Sequence, residues 1–222
     1  MLKNSFILSF FVITSLFYSN SDCDSTYSSS SYALNYAKKA LKADNFDHQS
    51  HGSVTLLEAL SHSYNQASAA LGMQLGLPAV RSTLTDLGVT AEIPELPSLF
   101  LGAIELSVME VATMYQTIAS GGFNTPLRAI REILDAKGEP IKTYGLEIEQ
   151  RIAPDTIHLL QYALQETMRN GTGRSAYQFL PDELATAGKT GTSIKAVGGG
   201  YGNDYVNVFA GVGPVSNPEV AV

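Results

Sequence analysis

The chain has 222 residues, of which 45% are hydrophobic and 16% charged, a composition typical of one globular domain with a buried core. The formal net charge is −7 and no basic stripe runs along the sequence, so nucleic-acid binding is not expected. A single cysteine, Cys23, excludes an internal disulfide and a cysteine-based metal site.

The first segment, residues 1–23, carries Lys3 ahead of an apolar run at residues 6–18. The run is shorter than the ~20 residues that span a bilayer comfortably, and it fits the core of a signal peptide or a short membrane anchor. A buried strand or helix is the alternative interpretation. We therefore expect an exported protein, on the periplasmic side of the inner membrane or otherwise extracytoplasmic, whose membrane contact is confined to this segment.

Residues 24–44 are predicted to form a serine-rich linker and a short helix, and residues 45–222 one partial domain. The polar stretch at residues 43–53 reads as a loop. It contains His48 and His51, which stand three residues apart without a strong third ligand in a defined pattern. A solvated loop is the better interpretation, and neither a metal site nor a cofactor is predicted.

Helical periodicity predicts helices over residues 54–60, 66–75 and 78–86, and their tight connections favour an all-helical subdomain. A further helix begins where Ser107 and Glu110 form a capping box, in which each side chain accepts a hydrogen bond from the other residue's backbone. This helix is the most secure element that the sequence predicts.

The second half of the chain alternates between strands and one helix. The predicted elements are a hairpin over residues 127–134 and 139–144, a helix from Pro154 to Gly171, a loop over 198–204, a strand over 206–212 and another from Pro218. A strand that stops after ~3 residues leaves a sheet edge open, so we expect a truncated C terminus. The predicted fold class is α+β, with a helical subdomain and an incomplete antiparallel sheet.

Two short motifs carry candidate chemistry. Ser63-Tyr64-Asn65 lies at the turn between two predicted helices, and Lys189-Thr190-Gly191-Thr192 lies in a run of small residues near the predicted sheet. A cation and two hydroxyls can hold a carboxylate, and a glycine lets a substrate backbone approach closely. Each motif also has an ordinary explanation, namely helix capping for the first and a plain strand and turn for the second.

Serine-x-asparagine and lysine-threonine-glycine are two of the three signatures of penicillin-interacting serine acyl-transferases. Around them lie VTLLEAL, LGM, GLP, LGA, EVATMY, IASGG, GTGR and AGKTGT, in that order. Over residues 45–193 this series resembles the transpeptidase domain of class A penicillin-binding proteins, closest to the bifunctional 1B type. Residues 199–218 are more similar to the division-type class B transpeptidases.

The resemblance implies a partial penicillin-binding/serine β-lactamase-like transpeptidase fold. It also implies serine acyl transfer, in which a serine attacks the penultimate D-alanine carbonyl of a peptidoglycan stem and D-alanine leaves. Penicillin acylates the same serine in that family. Peptidoglycan stem peptides and β-lactams are therefore the implied partners.

Residue roles also follow from the resemblance. Ser63 would relay protons between the two active-site lysines, Asn65 would bind the substrate amide, and Lys189 would polarise Ser63 and attract the substrate carboxylate. The side chains of the KTGT motif would complete the site. Thr190 and Thr192 would bind the carboxylate, and the Thr192 backbone would contribute to the oxyanion hole.

Gly191 would let the substrate lie along the strand edge as an added strand. The nucleophile of the family comes from a Ser-x-x-Lys motif, in which both side chains share a helical face. No serine of this sequence has lysine at the third following position. Thr186 precedes Lys189 by three residues, but Lys189 is the lysine of the Lys-Thr-Gly motif, and this part of the chain is predicted to be a strand rather than a helix.

We therefore expect an internal part of a larger enzyme behind an unrelated leader, inactive alone and of low stability. Two other interpretations stay open. One is an exported, non-catalytic module that binds stem peptides through the Lys-Thr-Gly strand. The other is a gene remnant that does not fold stably. A β-lactamase is a poor alternative because no deacylating glutamate is placed.

Overall fold

The computed structural model describes residues 3–4, 26–27, 43–181, 184–197 and 200–222, with the backbone alone for residues 3–4, 26–27, 193–197 and 200–203. Most of the predicted leader, linker and first short helix therefore lies outside the described residues. Two pairs of residues there form short antiparallel pairings: β1 (Lys3–Asn4) with β4 (Ile104–Glu105), and β2 (Thr26–Tyr27) with β3 (Val54–Thr55). The leader and the linker stay predictions.

The helices of the described residues lie close to where periodicity predicts them. They are α1 (Leu56–Ser61), α2 (Asn65–Leu75), α3 (Leu77–Asp86), α4 (Val108–Ala119) and α5 (Pro154–Arg169), with 3-10 turns at Pro97–Leu101 and Arg174–Gln178. The prediction that α1 begins at residue 54 is wrong by two residues. Thr55 takes the N-cap position instead, because its hydroxyl accepts a hydrogen bond from the Glu58 amide.

The capping box predicted at the start of α4 is confirmed. Ser107 Oγ accepts from the Glu110 amide at 3.2 Å, and Glu110 Oε2 accepts from the Ser107 amide at 2.9 Å. At the other end Gly122 donates to the Thr117 carbonyl at 2.9 Å. Gly122 has φ +93°, and a Cβ there would lie 2.1 Å from the Ile152 carbonyl oxygen, so only glycine fits.

A three-stranded antiparallel sheet forms from β9 (Ala187–Val197), β10 (Gly200–Gly213) and β11 (Val220–Ala221), in the order β11-β10-β9. The loop predicted over residues 198–204 is wrong from Gly200 onwards, where β10 already begins. Glycines favour a loop locally, but pairing with β9 extends the hairpin, with a register shift between Tyr201 and Tyr205.

The predicted middle hairpin is confirmed in a shorter form, as β6 (Glu132–Leu134) and β7 (Pro140–Thr143). Every residue of both strands is exposed, so this hairpin stands away from the core. A further pairing, β5 (Phe123–Asn124) with β8 (Glu149–Gln150), lies at its base. Helices and antiparallel strands together confirm the predicted α+β class.

One hydrophobic cluster joins the helices to the sheet. Its fully buried members include Leu60, Leu84, Tyr115, Leu164, Ala187 and Ala210, which come from α1, α3, α4, α5, β9 and β10 in turn. Helix α5 packs against β9 and α1, so it fixes the C-terminal end of α1 beside the strand that carries the KTGT motif. In the part of the chain that is described, no helix has the length and apolar character needed to cross a membrane.

Candidate functional site

The Ser-Tyr-Asn motif occupies the turn between α1 and α2. Ser63 has φ +60°, in the left-handed region that non-glycine residues rarely adopt. Backbone hydrogen bonds hold it there: the Ser63 amide donates to Leu60 at 3.1 Å, and the Tyr64 amide donates to Ala59 at 2.9 Å. The turn therefore fixes the direction of the Ser63 side chain at a cost of about 1–2 kcal/mol in backbone strain.

Lys189 lies on β9 and is completely buried, with 0% of its surface exposed. Its Nζ donates to Ser63 Oγ at 2.8 Å and to the Thr190 carbonyl at 3.1 Å. The contact with Ser63 joins residues 126 apart in the chain. The two motifs therefore meet as opposite walls of one candidate site: a serine wall at the turn that carries Ser63 and a lysine wall at β9, which carries Lys189.

Burial lowers the pKa of Lys189 from 10.5 to about 8, because the charged ammonium loses its hydration. Among the ion pairs of the described residues, none includes Lys189. With a pKa of about 8, Lys189 loses its proton more readily than an exposed lysine and can both donate and accept a proton. Ser63, whose oxygen accepts from Lys189, keeps its own hydroxyl hydrogen for another acceptor, so a proton can pass through it.

Asn65 is placed differently from the other motif residues. Its Nδ2 donates to the Asp44 carbonyl at 2.7 Å, and no hydrogen bond of the described residues joins it to Lys189. The capping interpretation of this motif is wrong, because Tyr64 at the N-cap makes no side-chain capping bond. The capping oxygen comes from Asn45, whose Oδ1 accepts from the Gln66 amide at 3.1 Å.

The two histidines of the preceding loop brace that loop. His48 Nδ1 lies 2.6 Å from Asp44 Oδ2, and this hydrogen bond raises the pKa of His48. His51 Nε2 lies 2.9 Å from Asp47 Oδ2, and its ring stacks on Tyr64 with centroids 4.0 Å apart. No cluster of three or more metal-ligating side chains occurs in the residues that the structure describes.

The hydroxyls of the KTGT motif lie on one face of β9, because Thr190 and Thr192 are two residues apart. Thr190 Oγ1 donates to Thr172 Oγ1 at 2.8 Å, and Thr192 Oγ1 donates to Asn207 Oδ1 at 3.1 Å. Gly191 is buried between them. Among the described strands only β10 pairs with β9 in this sheet, so the other edge of β9 lacks a strand partner there.

Sequence reasoning missed two residues of this site. Asn45 was placed only at the domain boundary, and nothing local in the sequence links it to Gln66, 21 residues away. Thr172 lies in the GTGR sequence, which is part of the family resemblance, but the resemblance assigns no role to this residue. Both act through contacts that only packing creates.

Comparison with known proteins matches residues 12–222 to the family described as penicillin binding protein transpeptidase domain. Penicillin-binding protein 1B of Vibrio cholerae is 40% identical over 151 residues, which cover 67% of this chain and 19% of that protein. Penicillin-binding protein 1B of Escherichia coli is 38% identical over 143 residues, which cover 64% and 17%. The chain thus spans less than a fifth of these curated relatives.

Solved structures show the fold. Penicillin binding protein 3 of Mycobacterium tuberculosis, complexed with aztreonam, superposes with a TM-score of 0.80 at 17% identity, covering 98% of this chain and 54% of that chain. Penicillin-binding protein 1A of Haemophilus influenzae superposes with a TM-score of 0.76 at 18% identity, covering 96% and 36%. With a family match across residues 12–222, this chain belongs to the penicillin-binding protein transpeptidase domain family.

Proposed function

We propose that the chain forms two walls of a peptidoglycan D,D-transpeptidase site and binds carboxylate ligands without forming a covalent bond to them. The observation that carries the proposal is the 2.8 Å hydrogen bond from Lys189 Nζ to Ser63 Oγ. The ligands would be D-alanyl-D-alanine stem peptides and β-lactams, in keeping with solved family structures that contain aztreonam and ampicillin. Peptidoglycan stems lie outside the cytoplasm, so the proposed location is extracytoplasmic, on the periplasmic side of the inner membrane.

In this proposal Thr190 and Thr192 bind the carboxylate and the Thr192 amide supports an oxyanion. Gly191 lets an extended peptide approach the edge of β9 with which no described strand pairs, where backbone groups can pair with the peptide as an added strand. Lys189 has no exposed surface, so it does not touch the ligand directly. Its positive charge attracts the ligand carboxylate at a distance, and its hydrogen bond acts through Ser63. Ser63 relays a proton between the ligand and Lys189.

The proposed role of Asn65 requires a change in the structure. Its Nδ2 is engaged by the Asp44 carbonyl, and a substrate amide would have to replace that bond or use the Asn65 carbonyl oxygen. The loop over residues 43–50 therefore controls how far Asn65 takes part. Thr190 and Thr192 likewise donate within the free site, to Thr172 and Asn207, so their hydroxyl hydrogens must turn to bind a carboxylate.

Covalent acylation is not part of the proposal for this chain. The sequence has no Ser-x-x-Lys motif, and removing the nucleophile from a group that works as a unit costs orders of magnitude in rate. Ser63 has Lys189 as its partner, but that lysine lies on strand β9 and not three residues after the serine on one helical face. The 222-residue chain is thus proposed to bind these ligands without catalysing acyl transfer.

The test treats the purified chain with a fluorescent penicillin and follows both intact mass and noncovalent binding. We expect no mass increase, together with saturable chemical-shift changes at Thr190 and Thr192 on addition of N-acetyl-D-alanyl-D-alanine. Lys189→Ala should weaken binding of the peptide, whereas Thr85→Val, on the exposed face of α3, should leave it unchanged. A penicillin adduct on any serine, or no saturable peptide binding, would contradict the proposal.

A further inference from the structure

The turn that follows α5 contacts both walls of the site. The Thr172 amide donates to the Ser61 carbonyl at 3.0 Å, two residues before Ser63. Gly171 lies so close to the same carbonyl that a Cβ there would be 2.1 Å from its oxygen. The backbone of this turn is therefore held against the serine wall by direct contact.

From that fixed backbone the Thr172 side chain reaches the lysine wall. The Thr190 hydroxyl donates to the Thr172 hydroxyl, with 2.8 Å between the oxygens, which is a normal distance for an O–H···O bond. Thr172 itself is exposed, so its own hydroxyl hydrogen is free to rotate. The pair lies 18 residues apart in sequence and joins two elements that carry no regular pairing with each other.

A threonine hydroxyl has one hydrogen to donate and two lone pairs to accept with. While Thr190 donates to Thr172, its hydrogen is not available to an anion. If Thr172 donates to Thr190 instead, the Thr190 hydrogen turns outward, and the two hydroxyls form a chain that ends on the anion. Hydrogen bonds in such a chain polarise one another and strengthen the final contact.

We propose that Thr172 is a positioning residue for Thr190: it accepts the Thr190 hydrogen in the free site and donates its own hydrogen to the Thr190 oxygen when a carboxylate binds. The inference rests on the proposed function, since it concerns the same carboxylate. It adds a residue outside the three signature motifs. Thr172 touches Thr190 and not the ligand, so its effect on the ligand passes through Thr190.

The test measures the affinity of the full chain for N-acetyl-D-alanyl-D-alanine by NMR titration. Thr172→Val keeps the shape and removes the hydroxyl, and we expect about five- to tenfold weaker binding, the usual effect of one hydrogen bond. Thr172→Ser restores the hydroxyl and should bind within about twofold of the wild type. Thr85→Val is the matched control, because its hydroxyl donates only to the Arg81 carbonyl of its own helix.

A double-mutant cycle separates positioning from general structural damage. In a Thr190→Val background, Thr172→Val should have no further effect, because the hydroxyl through which it acts is gone. Equal binding by the wild type and Thr172→Val, or effects that add in the double variant, would overturn this inference alone. If the wild type itself shows no saturable binding, the proposed function fails and this inference fails with it.

Discussion

The two walls of the site hold their functional side chains by different means. On the serine wall, a strained turn directs the side chain of Ser63, which has φ +60°. Two backbone hydrogen bonds close this turn. On the lysine wall, Lys189 is directed by the regular register of β9 with β10, where it lies opposite Ala210. One wall depends on local strain and the other on long-range pairing.

The walls also differ in what burial does to them. The serine wall forms hydrogen bonds with the loop before α1, from Asn65 to the Asp44 carbonyl, and with the turn after α5, from the Thr172 amide to the Ser61 carbonyl. The lysine wall buries a titratable group completely, and the loss of hydration lowers the pKa of Lys189 to about 8. Stability should therefore respond to backbone and capping changes on the first wall and to pH on the second.

The largest effect is expected where the turn after α5 meets the serine wall. Gly171→Ala places a Cβ 2.1 Å from the Ser61 carbonyl oxygen, and backbone must move to relieve the contact. We expect the free energy of unfolding to fall by about 3 kcal/mol or more, measured by urea denaturation. Gly145→Ala is the control, since a Cβ there meets nothing within 4 Å, and equal losses for both variants would contradict the prediction.

The second prediction concerns pH and the lysine wall. Lys189 has a folded pKa of about 8 against 10.5 for the free side chain, so between these values the unfolded chain binds more protons. Below pH 8 the folded protein buries a charged ammonium, which lowers its stability. Since this charge is lost as the pH increases from 8 to 10.5, the free energy of unfolding should rise by up to about 3 kcal/mol over that range. Urea denaturation across this pH range measures it.

Lys189→Met should remove that rise, because no titratable group remains at the position. Lys142→Met is the matched control, since Lys142 lies on the exposed strand β7 and should keep the wild-type slope. A wild-type curve that is flat or falls relative to Lys189→Met between pH 8 and 10.5 would contradict a lowered pKa for Lys189 in the folded protein.

The third prediction tests the tertiary cap of α2. Asn45 is buried and accepts from the Gln66 amide while its Nδ2 donates to the Gln49 carbonyl at 2.7 Å. Asn45→Ala leaves both groups without these partners, and we expect a loss of about 2 kcal/mol in the free energy of unfolding. Asn217→Ala, on an exposed turn, should change it by less than about 0.5 kcal/mol. Indistinguishable thermal midpoints for the two variants would count against the cap.

The smallest effect is expected from the strained turn itself. Both Ser63→Ala and Ser63→Gly lose the hydrogen bond from Lys189, but glycine adopts φ +60° without strain. Ser63→Gly should therefore be more stable than Ser63→Ala by about 1 kcal/mol, measured by chemical denaturation. At His62, which has φ −96°, the order should reverse, with alanine the more stable substitution. The same order at both positions would refute the strain argument.

The sequence by itself determined the local elements of the molecule. The capping box of α4 and the periodicity of α2, α3 and α5 lie within a few residues of chain, where spacing alone decides which side chains share a face. It also supplied the chemistry of the two motifs, because serine, lysine and threonine side chains carry their donors and acceptors wherever they fold. The start of β10 was mispredicted, since pairing with β9 overrode a glycine-rich stretch.

Only the tertiary structure decided how those groups meet. The family resemblance implied that Lys189 would act on Ser63, but the contact itself spans 126 residues, and no local pattern encodes a contact over that distance. The burial that shifts the pKa of Lys189, the cap that Asn45 supplies and the hydroxyl pair of Thr172 and Thr190 arise in the same way. The contacts that Lys189 and Thr172 make follow from the packing of α5 against α1 and β9, which brings distant parts of the chain together around one core.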